Sequence, residues 1–257
     1  MRALVTGGAK RIGRAIALYL AGRGFDVAVH FATSRQDADQ TVTDIAALGR
    51  RALALQADLL DEGQLAALVP AAAQALGGPL TLLVNNASIF EYDNLATATR
   101  RSWDRHMGSN LRAPLVLTQA FAAQAPKVQL VDGEPTAQGL IINMIDQRVL
   151  KPTPEFMTYS LAKAGLWALT RTSAQALAPH VRVNGVGPGP TVQGVRQSDS
   201  HFARQRAATI LGRGAGPSDV CAAIGFFLDS PAVTGQMVAV DGGQHLAWAT
   251  PDVLGIE

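Results

Sequence analysis

Short apolar runs alternate with helical stretches along most of the chain, and this rhythm constrains the fold more than any other feature. The runs are continuous in hydrophobicity instead of alternating with polar residues, which is typical of strands that are covered on both faces. We therefore predict a parallel sheet between two layers of helices. The predicted strands cover residues 3–6, 26–31, 51–58, 80–87, 139–145, 181–189 and 236–243.

Parallel neighbours need right-handed crossovers, so the repeated strand–helix order predicts an α/β fold of the doubly wound, Rossmann type, with ligands at the carboxyl ends of the strands. A length of 257 residues suits one such domain over 1–257, and we find no linker or repeat. The segment 126–138 is polar and is predicted to be irregular. The predicted helices cover residues 12–23, 35–49, 62–77, 99–124, 155–178 and 217–229, with a loop and short helix at 190–211.

Composition excludes several classes of protein. Hydrophobic residues make up 48% and charged residues 16% of the chain, which argues against disorder. A net charge of +2 with scattered cations does not favour a nucleic-acid or membrane surface. No leader pattern and no apolar run near 18 residues is found, so we expect a cytoplasmic protein. The single cysteine, Cys221, has no His or Cys at ligand spacing, which predicts a buried thiol and no metal site.

The stretch "TGGAKRIG", from Thr6 to Gly13, follows the first strand and opens the first helix. Gly7 and Gly8 allow a sharp turn near a pyrophosphate, and Gly13 allows the helix to approach the sheet. The helix N-terminus offers free N–H groups to phosphates. This context predicts a dinucleotide site, although Arg11 stands where a third glycine is usual.

The end of the second predicted strand selects the cofactor. No acidic residue follows His30 until Asp37, and an acid there would repel a 2′-phosphate. Ser34, Arg35 and the loop cations Lys10 and Arg11 could accept that phosphate. We predict NADPH over NADH, with the alternative that His30 and Arg35 are only solvated strand-end residues.

Tyr159 and Lys163 lie four residues apart on the helix predicted at 155–178, so they share one face. A nearby ammonium favours the phenolate and would lower a Tyr pKa from about 10. Such a Tyr can give a proton to a substrate as hydride arrives.

These motifs in this order resemble the short-chain dehydrogenase/reductase family over essentially the full chain. They are the glycine loop, "AD" (57–58), "NNA" (85–87), "SN" (109–110), Tyr159 with Lys163, "PGPT" (188–191) and "DGG" (241–243). The resemblance implies that Asp58 meets the adenine, Asn85 the cofactor ribose region, Asn110 a proton-relay water, Lys163 the nicotinamide ribose and Thr191 the carboxamide. The implied cofactor contacts are Gly7, Lys10, Arg11, Ile12, Gly13, His30, Ser34, Asp58, Leu59, Asn85, Ala87, Lys163, Pro188, Gly189 and Thr191.

Two departures from the common pattern resemble the pteridine reductase branch of that family. Arg11 replaces the third loop glycine, and Asp146 replaces the serine expected thirteen residues before Tyr159. "NNAS" and Phe90 fit the same branch, and "DGGQHL" is similar to bacterial dihydromonapterin reductases. The branch implies that Arg11 reaches both the cofactor phosphates and the substrate, and the family implies a homotetramer. The implied catalytic set is Asp146, Tyr159, Lys163 and Asn110, and the implied substrate set is Arg11, Ser88, Phe90, Asp146 and Tyr159.

The chemistry agrees with this resemblance. An ionised Asp146 cannot donate a hydrogen bond to a carbonyl oxygen and would raise the Tyr159 pKa. Reduction of a pterin C=N bond instead needs protons on ring nitrogens, which a carboxyl group can shuttle. Phe90 could stack on a flat bicyclic ring. The alternatives are a core role for Phe90 and a structural role for Asp146.

We therefore expect an NADPH-dependent reductase that acts on a pterin or folate-type small molecule, with no nucleic-acid or membrane partner. One alternative is a carbonyl reductase, for example of 3-oxoacyl thioesters. A second is an NADPH-binding sensor without catalysis. The polar segment at 192–211 is predicted to be a substrate loop that moves as a lid.

Overall fold

The computed structural model describes residues 1–194 and 197–248. Its main sheet has seven parallel strands in the order β3-β2-β1-β4-β7-β8-β9, which confirms the predicted α/β fold. The strands are β1 Arg2–Val5, β2 Asp26–Phe31, β3 Ala52–Gln56, β4 Leu82–Asn85, β5 Gln129–Val131, β6 Glu134–Thr136, β7 Gly139–Met144, β8 Val181–Pro188 and β9 Met237–Val240. The helices are α1 Arg11–Gly22, α2 Arg35–Ala47, α3 Glu62–Ala75, α4 Arg100–Met107, α5 Ala113–Gln124, α6 Met157–Leu177, α7 Asp199–Ala207 and α8 Pro217–Asp229.

Neighbouring residues of one strand belong to two different cores. Ala3 and Val5 pack into a cluster with Ile16 of α1 and Phe227 of α8, whereas Leu4 packs into a second cluster on the other face. Because side chains alternate across a strand, a strand covered on both sides must be apolar at every position. The continuous apolar runs in the sequence have this cause. Cys221 is buried in the first cluster, as predicted.

The strand order reverses between β1 and β4. From β1 the chain moves outward to β2 and β3, then returns to pair β4 with the opposite edge of β1. In doubly wound sheets a crevice opens at such a point, at the carboxyl ends of the strands. The glycine loop after β1 and the "NNA" segment after β4 therefore meet there.

The helix predicted at 99–124 is interrupted. A π-helical turn, Gly108–Arg112, separates α4 from α5. Pro114 has no N–H to donate to the carbonyl of Asn110, four residues earlier, and this loss favours the wider turn. π-turns inside helices are frequent at functional sites, and this one carries Ser109 and Asn110.

The prediction of an irregular segment at 126–138 is wrong at its centre, where β5 and β6 form an antiparallel hairpin. Its turn residues, Asp132 and Gly133, have φ values of 51° and 83°. An Asp-Gly pair with two positive φ angles is the preferred two-residue hairpin turn, so the sequence did carry this signal.

Two predictions extend beyond the described residues. The predicted domain 1–257 includes residues 195–196 and 249–257, and the predicted substrate loop 192–211 includes residues 195–196. Within the described part of that loop, α7 is the short helix expected there. Among the residues described, no helix is long and apolar enough to cross a membrane.

Candidate active site

The glycine loop forms a cradle that only glycine permits at two positions. Gly7 has a φ of +60°, which favours glycine. At Gly13 an added Cβ would lie 2.1 Å from the Gly7 carbonyl oxygen and 2.6 Å from Asn86 Nδ2. Helix α1 begins after Lys10, which gives no side-chain cap, so its first N–H groups are free to bind phosphate oxygens.

Arg11 shows why glycine is common at its position. Its φ is +53°, in the left-handed region that costs a non-glycine residue about 1–2 kcal/mol. The requirement at this position is therefore conformational. The guanidinium donates to the carbonyl oxygens of Val192 (3.1 Å) and Gln193 (2.8 Å), which ties the glycine loop to the start of the segment at 192–211.

His30 lies beneath the loop. The Gly7 N–H donates to its Nδ1 (3.0 Å), so the proton resides on Nε2, which donates to the Ala57 carbonyl (3.0 Å). Burial lowers the pKa of His30, which is 2% exposed. The neutral ring therefore holds the loop by a hydrogen bond and presents no charge to a phosphate.

Asn86, which sequence analysis did not single out, joins the two loops at the crevice. Its Nδ2 donates to the carbonyl oxygens of Thr6 (2.8 Å) and Gly7 (3.2 Å), and its own N–H donates to Thr6 Oγ1 (2.9 Å). The predicted neighbour Asn85 is instead buried beneath the crevice, where its Nδ2 donates to Asn143 Oδ1 (2.8 Å). The predicted contact of Asn85 with the cofactor ribose region stays a prediction.

A cavity of about 530 Å³ opens over this cradle. Its size is in the ordinary range for ligand sites, and its free N–H groups and loop cations suit a dinucleotide. Ten predicted residues line it: Gly7, Lys10, Arg11, Ile12, Gly13, His30, Asp58, Leu59, Ala87 and Ser88. Six lining residues were not predicted: Ala32, Leu60, Asn86, Ile89, Arg105 and Ser109.

The cations expected near the 2′-phosphate have carboxylate partners. Lys10 pairs with Asp37 at 2.9 Å and lines the cavity. Arg35 pairs with Asp39 at 2.9 Å and does not line it. Ser34 precedes α2 and makes no side-chain cap. Lys10 is therefore the better placed of the two cations to meet a phosphate.

The predicted catalytic residues meet at the carboxyl end of β7. Tyr159 and Lys163 lie on α6, and the Tyr159 hydroxyl donates to Asp146 Oδ2 (2.7 Å). Lys163 Nζ donates to the Met144 carbonyl oxygen (2.7 Å). The structure thus places Asp146 beside Tyr159, thirteen residues later in the chain, as the spacing of the family motif predicts.

Electrostatics at this group differ from the sequence-based expectation in one respect. Burial raises the pKa of Asp146, so its acid form persists to higher pH than usual. Burial, and then the adjacent Asp146, raise the pKa of Tyr159 well above its ordinary value. The expectation that Lys163 lowers the Tyr159 pKa is therefore wrong here, because burial and the adjacent Asp146 decide the direction; burial also lowers the pKa of Lys163 itself to about 8. Tyr159 is a neutral phenol that can donate.

Phe90 belongs to an aromatic surface and not to the core. Its side chain is 51% exposed. Its ring stacks on Phe156 (4.3 Å between centroids) and contacts the edge of Tyr159 (4.7 Å). The guanidinium of Arg148 lies 4.7 Å from the Phe156 centroid. We call Phe90 and Phe156 the aromatic platform.

A buried network that sequence analysis missed fixes the start of α6. Phe156, at the N-cap, gives no side-chain hydrogen bond. Asp93 of the β4–α4 loop replaces it: Oδ1 accepts from the Thr158 N–H (3.1 Å) and Oδ2 from the Thr158 hydroxyl. His106 Nδ1 lies 2.7 Å from Thr158 Oγ1, and the Glu91 N–H donates to His106 Nε2 (3.1 Å). The loop carrying Phe90 is thereby held against the helix carrying Tyr159.

Asn110 supports the same loop. Its Oδ1 accepts from the Ile89 N–H (2.9 Å) and its Nδ2 donates to the Ile89 carbonyl (2.8 Å), next to Phe90. Its side chain is thus a support for the aromatic platform, and a role with a relay water stays a prediction.

The segment after β8 closes the other side of the crevice. Thr191 is buried and donates to the Gly189 carbonyl (3.1 Å). A Cβ on Gly189 would lie 2.5 Å from Asp241 Cβ, so this glycine permits close packing with the "DGG" segment. Pro188 ends the strand. Their predicted cofactor contacts stay predictions.

Comparison with known proteins gives a consistent family. A sequence profile described as short chain dehydrogenase matches residues 1–203. The chain is 36% identical over 252 residues to an uncharacterised oxidoreductase of Methylorubrum extorquens, covering 94% of this chain and 96% of that protein. It is 31% identical over 249 residues to the 3-oxoacyl-(acyl-carrier-protein) reductase FabG of Staphylococcus aureus, covering 95% and 98%.

Solved structures agree. The structure of FolM alternative dihydrofolate reductase 1 from Brucella suis in complex with NADP superposes with a TM-score of 0.90 at 43% identity, covering 98% of this chain and 97% of that one. A short chain dehydrogenase from Burkholderia cenocepacia in complex with NADP gives 0.85 at 34% identity, covering 95% and 97%. Together with the loop cradle and the Asp146, Tyr159 and Lys163 group, these matches show that the chain belongs to the short chain dehydrogenase family and is an NADPH-dependent reductase.

Proposed function

We propose that this reductase transfers hydride to a C=N bond of a pterin or folate-type substrate. The observation that carries the proposal is the 2.7 Å hydrogen bond from the Tyr159 hydroxyl to Asp146. A carboxyl group occupies the place of the common serine, and burial raises its pKa. Hydride addition to carbon leaves nitrogen in need of a proton, and a partly buried acid beside a phenol can provide one.

NADPH, when bound, supplies the hydride. Asp146 in its acid form holds the proton to be transferred, and the Tyr159 hydroxyl is the adjacent donor. Lys163 places a positive charge beneath this pair while it donates to the Met144 carbonyl, and the resemblance assigns it to the nicotinamide ribose. Phe90 offers an exposed face against which a flat ring can stack, and its distance of 4.7 Å from the Tyr159 ring keeps that surface beside the acid.

The remaining predicted contacts form part of the proposal. We assign Asp58 to the adenine edge, Thr191 to the carboxamide and Ser88 and Arg11 to the substrate side. Similarity to a protein named as an alternative dihydrofolate reductase supports the folate-type assignment. We also propose a cytoplasmic homotetramer, to be tested by light scattering and by fractionation of expressing cells.

The second candidate is reduction of a 3-oxoacyl thioester, which similarity to FabG along 95% of the chain favours. An ionised Asp146 accepts hydrogen bonds only and would oppose a carbonyl oxygen, whereas its acid form could donate to one, so the choice between the two reactions depends on the substrate test below. The sensor alternative loses its basis, because the catalytic residues are assembled and the chain is a reductase.

The test compares NADPH oxidation with 7,8-dihydrobiopterin, 7,8-dihydrofolate and acetoacetyl-coenzyme A. The proposal expects turnover of at least one dihydropterin substrate, with little activity on the thioester. A Tyr159→Phe variant controls for background oxidation. Turnover of the thioester alone would reject the pterin proposal in favour of the carbonyl reductase.

A further inference from the structure

His106 of α4 is fully buried and contacts both α6 and the loop that carries Phe90. Its Nδ1 lies 2.7 Å from Thr158 Oγ1, and its Nε2 accepts from the Glu91 N–H (3.1 Å), directly after Phe90 in the chain. Its ring centroid lies 6.0 Å from that of Tyr159, at an interplanar angle of 76°. The reaction proposed above does not use this imidazole.

The partners of His106 fix its protonation state. A backbone N–H can only donate, so Nε2, which faces the Glu91 N–H, is the nitrogen without a proton. The proton is on Nδ1, which donates to Thr158 Oγ1, and the Thr158 hydroxyl in turn donates to Asp93 Oδ2. This set of hydrogen bonds therefore requires a neutral imidazole.

The groups around the ring act on its charge in opposite directions. Burial is the largest cause, and it lowers the pKa of His106 below the ordinary value of 6.5. The carboxylates of Asp93 and Glu91 oppose this shift, whereas the Arg105 guanidinium adds to it. Tyr159, which faces the ring from α6, is a neutral phenol. The imidazole is thus neutral near pH 7 and gains a proton only in the acid range.

A proton on Nε2 would break the hydrogen bond between the ring and the loop. The new N–H would face the Glu91 N–H, and two donors cannot bind each other. The other side of the ring would be unaffected, because Nδ1 would still donate to Thr158. Protonation would therefore release the loop from His106 without releasing α6, and Phe90 would lose this support.

We infer that neutral His106 is a positioning residue that holds the Phe90 loop beside Tyr159, and that its protonation releases the loop and weakens substrate binding. This inference rests on the proposed function, in which Phe90 contacts the substrate. It gives the site an acid limit that affects KM, whereas proton transfer from Asp146 affects kcat. The two constants should therefore respond differently to acid.

Two variants of His106 test its two hydrogen bonds separately. The side-chain amide of His106→Gln extends to the position of Nε2, so its oxygen can accept from the Glu91 N–H, and it does not titrate. The shorter amide of His106→Asn stands at the position of Nδ1, so it can donate to Thr158 but does not reach Glu91. The pair differs by one methylene group and by which partner is kept.

The kinetic experiment measures kcat and KM from pH 5 to pH 8 with the substrate that turns over fastest in the comparison above. In the unmodified protein, KM should rise about three- to tenfold toward pH 5, as for one lost hydrogen bond, without an equal fall in kcat. His106→Asn should have the high KM at every pH, and His106→Gln the low KM at every pH. Equal KM values in the two variants, or an acid rise of KM that persists in His106→Gln, would overturn the inference.

Nitrogen-15 NMR of the unmodified protein gives a second test that needs neither variant. At pH 7 the His106 Nε2 signal should be that of an unprotonated acceptor. As pH falls, the Glu91 amide signal should shift with the same midpoint as KM, and the Thr158 amide, which donates to Asp93, should shift less. A protonated Nε2 at pH 7, or a Glu91 amide that does not respond, would contradict the inference.

The matched control is His180→Ala. His180 Nδ1 also accepts from a backbone N–H, that of Val128 (3.2 Å), but it lies before the amino end of β8, at the opposite edge of the sheet from the site. This variant should leave KM and its pH dependence unchanged.

Failure of this inference differs from failure of the proposed function. The expected NMR result and acid rise of KM, found with turnover of the thioester alone, would support the role of His106 and reject the pterin reaction. Turnover of a dihydropterin with a KM that is independent of pH would support the reaction and overturn the role of His106.

Discussion

The two halves of the crevice are built differently. The cofactor half, after β1 and β4, is formed by main-chain groups: the glycine loop, free N–H groups of α1 and the carbonyl oxygens held by Asn86. The reaction half, after β7 and along α6, is formed by buried or partly buried side chains with shifted pKa values. The first half depends on backbone geometry and the second on side-chain chemistry, so substitutions should affect them separately.

The largest effect is expected from Asp146→Ser, which should disable the reaction half alone. Loss of a positioned acid costs about 10² to 10⁴ in rate, so pterin turnover should fall by that factor. The NADPH dissociation constant, measured by fluorescence, should stay within about twofold, because the cofactor half is unchanged. A tenfold rise would require a loss of about 1.4 kcal/mol of binding free energy. Unchanged turnover would make Asp146 structural and would return the carbonyl reductase to first place.

The pH dependence of turnover by the unmodified protein should report the titration of residues in the reaction half. Pterin turnover should rise as pH falls, because burial raises the pKa of Asp146 and its acid form is the proton donor. Turnover should fall above pH 8, where Lys163, whose pKa is about 8, loses its charge. NADPH binding measured over the same range serves as the control, and a flat rate profile from pH 6 to pH 9 would contradict the assignment.

Gly13→Ala should disable the cofactor half alone. Its Cβ would lie 2.1 Å from the Gly7 carbonyl oxygen, and such overpacking costs about 1–3 kcal/mol. We expect the NADPH dissociation constant to rise by about 10- to 100-fold. Gly22→Ala, on the same helix, is the matched control, because its Cβ meets nothing within 4 Å. Equal NADPH affinity in the two variants would show that the loop adapts.

Asp93→Ala tests the link between the loop carrying Phe90 and the helix carrying Tyr159. Removing a helix cap costs about 0.5–2 kcal/mol of stability, and misalignment should lower pterin kcat by about tenfold with little change in NADPH affinity. Asp61→Ala removes the cap of α3, where Asp61 accepts from the Gln64 N–H (2.9 Å). It should lower the melting temperature without changing kcat. If both variants lose only stability, Asp93 has no positioning role.

The smallest effect is expected from Lys10→Ala, which tests where the cofactor half binds the 2′-phosphate. Lys10 lines the cavity, whereas Arg35 does not. Lys10→Ala should therefore reduce the ratio of NADPH affinity to NADH affinity, and this reduction should be a few-fold larger than the one caused by Arg35→Ala. Dissociation constants for both cofactors give the answer. A larger change in Arg35→Ala would place the 2′-phosphate on the α2 side.

The two halves also differ in how far sequence predicted them. Glycine spacing after a strand reports a local backbone need, so Gly7 and Gly13 could be assigned without a structure. Tyr159, Lys163 and Asp146 were found because family motifs fix their spacing. Asp93 and Thr158 are 65 residues apart, and no local pattern signals that they meet. The sequence named opposing influences on the Tyr159 pKa, a lowering by Lys163 and a raising by Asp146, but the largest cause, burial, depends on tertiary packing.

The left-handed backbone at Arg11 has a consequence for which sequences the loop can accept. Glycine would adopt this conformation without strain, whereas most other residues would bear the strain and gain no contact in return. Arginine offsets it by reaching Val192 and Gln193. Position 11 should therefore accept arginine or glycine better than other residues. Stepwise substitution from arginine to glycine through other side chains would pass through less stable proteins.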